Sequence, residues 1–152
     1  MNILRGLLAL VVCTLIGYYK SLKYVKISSF YQSFYLFSKK ITAEISFSKK
    51  SIVEIANELT EKNDFNLCVK KFYIENSFCA YKYFNNDENN FLSLYLNSVG
   101  DSDRDSQIKS LSHFQKELEE KVNFANENLR KYKTFYIKIG FLVGLILLIM
   151  LI

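Results

Sequence analysis

Apolar residues are arranged along this chain in two different ways. At the ends they are contiguous: Ile3 to Tyr19 is apolar apart from Arg5, and Phe135 to Ile152 is interrupted only by Lys138. Each run approaches the ~20 residues that a helix needs to cross the hydrocarbon core of a bilayer. This predicts membrane helices over residues 1–19 and 135–152. Between them the apolar positions become periodic. Ile27, Phe30, Phe34, Phe37, Ile41 and Ile45 recur at spacings of three and four, the signature of one buried helical face. Leu111, Phe114, Leu118, Val122, Ala125, Leu129, Tyr132 and Tyr136 form a second stripe that runs directly into the C-terminal apolar segment.

Three shorter elements fill the interval. Ser51 followed by Glu54 has the spacing of a capping box, so a short helix is expected to carry Ile52, Ile55, Ala56 and Leu59 inward. Asn63-Asp64 interrupts that pattern. A third helix is expected to align Phe65, Cys68, Phe72, Cys79 and Tyr83 along one stripe, which would place the two cysteines on one face. Asn85–Asn90 reads as a polar loop, and Phe91–Val99 as a fourth helix ended by Gly100, the usual left-handed C′ residue. The last helix is expected from about Asp103, with Ser102 as its cap. Proline is absent and there are five glycines, of which Gly100 alone lies between the apolar ends. So few helix breakers favour helices over sheet. The expected fold is all-α: an antiparallel helical bundle over residues 20–134, flanked by the two membrane helices.

Charge then orients the chain. Residues 20–50 carry seven lysines against Glu44, and Arg130, Lys131, Lys133 and Lys138 border the second apolar run, while only Arg5 and the α-amino group lie on the opposite side. The positive-inside rule places the central domain in the cytoplasm and both termini outside. Residues 51–129 are acidic, with eight basic against fourteen acidic groups, so the net charge of +5 belongs to the membrane edge and not to a nucleic-acid surface. A cleaved signal peptide competes for the N-terminal run, but the border Gly17-Tyr18-Tyr19-Lys20 lacks a small-residue cleavage site and suits an uncleaved span.

Little of the sequence reads as chemistry. Cys13, Cys68 and Cys79 lack metal-binding or redox spacing and fit a reducing compartment. Asp101, Asp103 and Asp105 imitate the start of a calcium loop, but Ser106 and Ser112 stand where glycine and glutamate are required. His113, the single histidine, has no evident partner, and Glu117, Glu119 and Glu120 read as a solvated face. No catalytic, metal or cofactor site is expected. Gly140 and Gly144 form a G-x-x-x-G pair that allows close helix approach, either to another chain in a homo-oligomer or to the chain's own first span.

The segment with Gly100, Asp103, Arg104, Ser106 and Gln107 opens a long charged helix that ends in the apolar tail Ile139–Leu145. This combination, with the short N-terminal span and the stretch Ile41–Leu59, resembles the stage III sporulation protein AB family of endospore formers. The resemblance implies a non-enzymatic component of the secretion-like complex between mother cell and forespore, in the outer forespore membrane. Its helical domain would be similar to those of type II secretion platform proteins. It also implies a partner, the stage III sporulation protein AA ATPase, on the mother-cell side. If a docking face exists, Gly100, Asp103, Arg104 and Gln107 are the residues expected to form it. The competing reading is a two-span membrane adaptor or signalling protein with a coiled-coil-like cytoplasmic domain.

Overall fold

The computed structural model describes residues 2–47, 51–59, 63–100 and 104–151. Among these residues five helices follow one another: α1 (Asn2–Phe47), α2 (Ile52–Asn57), α3 (Asp64–Tyr73), α4 (Asn86–Ser98) and α5 (Arg104–Leu151). There is no strand among the described residues. The chain divides into two compact units. One consists of Met1–Ser28 with Phe124–Ile152, and the other is Ser29–Asn123.

The first unit is a pair of antiparallel helices, the N-terminal part of α1 against the C-terminal part of α5. Tyr24 stacks on Tyr132 with ring centroids 4.7 Å apart, and Ser28 donates a 2.6 Å hydrogen bond to Asn126 Oδ1. Both helices are long and apolar enough to cross a membrane, and most of their large side chains point outward, including Leu4, Leu8, Leu15, Leu142, Ile146 and Met150. In water such a surface would be an aggregation hazard; in lipid it is the expected one.

The second unit is a bundle with an aromatic core. Phe30, Phe34, Phe37 and Ile41 of α1 are almost fully buried. Phe30 stacks on Tyr81 at 4.1 Å and meets Phe65 and Phe84 edge-on, while Phe34 stacks on Phe65 at 5.0 Å and meets Tyr95 edge-on at 4.7 Å. Offset and edge-to-face pairs add ~0.5–1.5 kcal/mol each beyond the area they bury. Truncating a ring from such a site costs roughly 3–5 kcal/mol. Leu111 and Leu118 of α5 complete the interior. Gln115 Nε2, also on α5, donates to the Ser38 carbonyl at 3.2 Å and to Thr42 Oγ1 at 2.8 Å, fixing the register of α5 against α1.

Two local expectations are corrected. The third helix stops at Tyr73, so Cys68 and Cys79 do not share a helical face. The cause is Asn76, whose positive φ of 50° ends the turn while the Ser77 N–H doubles back to the Lys71 carbonyl. Cys79 is nonetheless close in space, since the Cys68 thiol donates to its carbonyl at 3.6 Å. The stretch 85–90 is not a loop. The Asn85 side chain accepts from the Glu88 N–H and the Glu88 carboxylate accepts from the Asn85 N–H, a capping box that starts α4 at Asn86.

Four tyrosines of the bundle, Tyr31, Tyr73, Tyr81 and Tyr95, have hydroxyls held well above their ordinary range, in each case chiefly by burial. For Tyr31 the Glu88 carboxylate adds to the effect, and for Tyr81 that of Asp64. The unfolded chain releases these protons near pH 10 while the folded chain holds them. The stability they contribute is therefore complete below about pH 10 and is lost as pH rises beyond it. We expect an alkaline titration to show the tyrosinate absorbance of these four only together with loss of near-ultraviolet circular dichroism. Ionisation of all eleven tyrosines in the native state would contradict the burial.

Candidate functional site

The turn between α4 and α5 is set by its inward contacts. Tyr95, Leu96 and Val99 are buried, and the Tyr73 hydroxyl donates to the Leu96 carbonyl at 2.7 Å, anchoring the end of α4. Gly100 then adopts a φ of +97°, and a methyl group added there would sit 2.6 Å from Ile52 Cδ1 of α2. Only glycine meets both conditions without strain. Asp103 lies outside the described residues, as do Asp101 and Ser102; Arg104 opens α5, and its side chain is likewise not described. Gln107 is turned inward, 7% exposed, and its Nε2 has no hydrogen-bond partner among the described residues. A buried amide left in this state costs about 1–3 kcal/mol.

Of the four residues singled out in sequence, Gly100 thus shapes the turn and Gln107 enters the core. A polar face at this end of the bundle must be made by their neighbours, among which Asp105 and Ser106 are exposed.

The residues considered for chemistry are dispersed. His113, Glu119 and Glu120 are exposed, and Glu117 pairs with Lys121 at 3.3 Å along α5. Among the described residues no three metal-ligating side chains come together. Burial and the neighbouring Cys79 raise the Cys68 thiol above its usual range, so it is held protonated and unreactive.

Asn89 has a role that the apolar pattern does not reveal. Its Oδ1 accepts from the Tyr81 N–H at 2.8 Å, and its Nδ2 donates to the carbonyls of Tyr81, Phe84 and Asn85. One side chain thereby organises the segment ahead of α4. Its signal was available in the spacing Asn85-x-x-Glu88, which places Asn89 in a first helical turn and not in a loop.

In the two-helix unit, a methyl group at Gly140 would lie 2.6 Å from the Cys13 carbonyl oxygen and 3.3 Å from the α-carbons of Gly17 and Thr14. One at Gly144 would lie 2.8 Å from the Leu10 α-carbon. The G-x-x-x-G pair therefore packs on the chain's own first helix, with Gly17 as its counterpart.

Two substitutions separate shaping from strain at the α4–α5 turn. Gly100→Ala should destabilise the bundle by roughly 1–3 kcal/mol, combining the unfavourable φ with the Ile52 contact. Gln107→Leu, which removes the unpaired amide from the core, should be neutral or stabilising by up to ~1 kcal/mol. Thermal or denaturant unfolding of the full chain measures both, and a large loss in Gln107→Leu would mean that the amide has a partner.

Comparison with protein families matches residues 74–152, just over half of the chain, to the stage III sporulation protein AB model. The matched region takes in α4, the α4–α5 turn and all of α5. The first helix and the stretch Ile41–Leu59 precede it. Comparison with curated proteins and with solved structures gives no match. An all-helical chain with two helices able to cross a membrane, matched by this model through its charged turn to its apolar end, belongs to the stage III sporulation protein AB family and is a membrane protein of sporulation.

Proposed function

We propose that the chain is a non-enzymatic platform subunit of the secretion-like channel complex between mother cell and forespore, linking a cytoplasmic ATPase of the stage III sporulation protein AA type to the membrane assembly. The observation that carries this reading is the family match over residues 74–152, which joins the polar α4–α5 turn to a membrane helix on a single element, α5. Such an element can pass binding or motion from a soluble partner to lipid-embedded helices. The docking residues on this reading are Arg104, which opens α5, and Asp103, which precedes it in sequence, with Gly100 shaping the turn and Gln107 turned into the core beneath it.

Co-purification of the full-length chain with the ATPase from detergent-solubilised membranes tests the partnership. The wild type should retain the ATPase. Arg104→Glu should lower retention by on the order of tenfold while leaving the unfolding temperature unchanged, the loss of a charge-assisted contact. Equal absence of the ATPase from wild type and variant would refute the link.

The central domain faces the mother-cell cytoplasm on this reading, with both ends of the chain on the far side of the outer forespore membrane. The basic residues flanking the apolar runs support that orientation. A cysteine introduced at the exposed Asp87 should react with a membrane-impermeant maleimide only after permeabilisation, with the parent chain as background. Labelling in intact cells would invert the topology.

A further inference from the structure

The outer face of α5 carries a second pattern that the platform role does not use. An open hollow with Leu129 and Ile137 in its wall has as its polar lining Glu127, Arg130, Lys131, Lys133, Thr134 and Lys138, four cations and a hydroxyl against one carboxylate. All four cations are exposed, and Lys131 Nζ lies 5.6 Å from the centre of the Tyr132 ring. Adjoining it is an apolar hollow lined by Ile137, Lys138, Phe141 and Leu142, so the two share Ile137 and Lys138. The positions 130, 134, 137 or 138, and 141 recur at helical spacing and form one stripe. From Arg130 to Phe141 the rise is ~16 Å. That is enough to reach from a headgroup layer into the upper acyl chains.

We propose that this stripe binds an anionic phospholipid, with the phosphate among Arg130, Lys131, Thr134 and Lys138 and an acyl chain along Ile137, Phe141 and Leu142. Two features select that occupant over a soluble anion. The cationic hollow is continuous with an apolar one, which a free phosphate has no means to fill. The helix that carries both is one of the two able to cross a membrane, so the polar-to-apolar direction of the stripe matches that of a lipid in the same leaflet. Arginine supplies a planar donor pair suited to phosphate, and the lysines supply charge. Glu127 sits at the end of the stripe farthest from the apolar hollow, so it does not oppose a phosphate seated near Thr134.

The proposal rests on α5 crossing the membrane, and that premise is read separately, by incorporation of the chain into phosphatidylcholine nanodiscs. The lipid site itself is tested on full-length protein released from detergent with equimolar phosphatidylglycerol and phosphatidylcholine, counting retained lipids by native mass spectrometry. Phosphatidylglycerol should be retained in preference. The triple substitution Arg130→Gln, Lys131→Gln, Lys138→Gln should lower that preference by on the order of tenfold or more. The matched triple Lys20→Gln, Lys23→Gln, Lys26→Gln on α1, also at exposed positions, should leave most of it. Phe141→Ala should weaken retention of both lipids. Equal retention of the two lipids by the wild type, equal losses in the two triples, or displacement of the lipid by inorganic phosphate at the same concentration would each overturn the site. Circular dichroism of each variant confirms that the helices are intact.

Discussion

Burial of the aromatic stripe of α1 is the interaction on which the bundle depends. Phe30, Phe34 and Phe37 all reach Phe65 of α3, Phe30 adds Tyr81 and Phe84 from the segment before α4, and Phe34 adds Tyr95 from α4 itself. α3 and α4 are therefore fixed by their contact with one long helix, and α2 packs on α3. A six-residue α2 or a ten-residue α3 has no stability alone, because an isolated helix shorter than ~12–15 residues is marginal in water. Rings give this arrangement its definition. Their large area drives burial, and their preference for stacked or edge-on approach limits how the short helices can slide.

The same fact bears on the family relationship. The matched region contributes Leu92, Tyr95, Leu96, Leu111 and Leu118 to the interior, while Phe30, Phe34, Ile41, Ile55 and Phe65 precede it. The core is thus made jointly by both halves, and neither half closes its apolar face without the other. The buried residues of α1, α2 and α3 are therefore part of the same core although they precede the matched region.

What could be read from the sequence divides along physical lines. The long helices were legible because their stripes persist for many turns, and the Ser51–Glu54 box because both partners are local. The end of α3 was not, since an asparagine with positive φ is rare and Asn76 sits among residues that continue the apolar stripe. The start of α4 was missed because polar residues at 85–90 suit a loop and a first helical turn equally well. At the proposed docking turn the glycine was correctly placed by its C′ role, but the inward rotation of Gln107 was not. A glutamine in a charged segment gives no hint that it faces a core, and only the packing of α5 decides it. Pairings between distant residues, such as Gln115 with Ser38 and Thr42, leave no mark in a single sequence.

The four glycines at the contact of α1 with α5 have a further consequence for life in a crowded bilayer. Gly6, Gly17, Gly140 and Gly144 spend the chain's smallest surfaces on itself. What remains for neighbours is a coat of leucine, isoleucine, valine and phenylalanine side chains that hold other backbones at arm's length. Among the described residues of this pair no glycine is left on the outward face, where it would let another helix approach closely. The pair's place in any larger assembly would then be decided at the waterline, by polar groups that a partner can recognise, and not in the depth of the lipid.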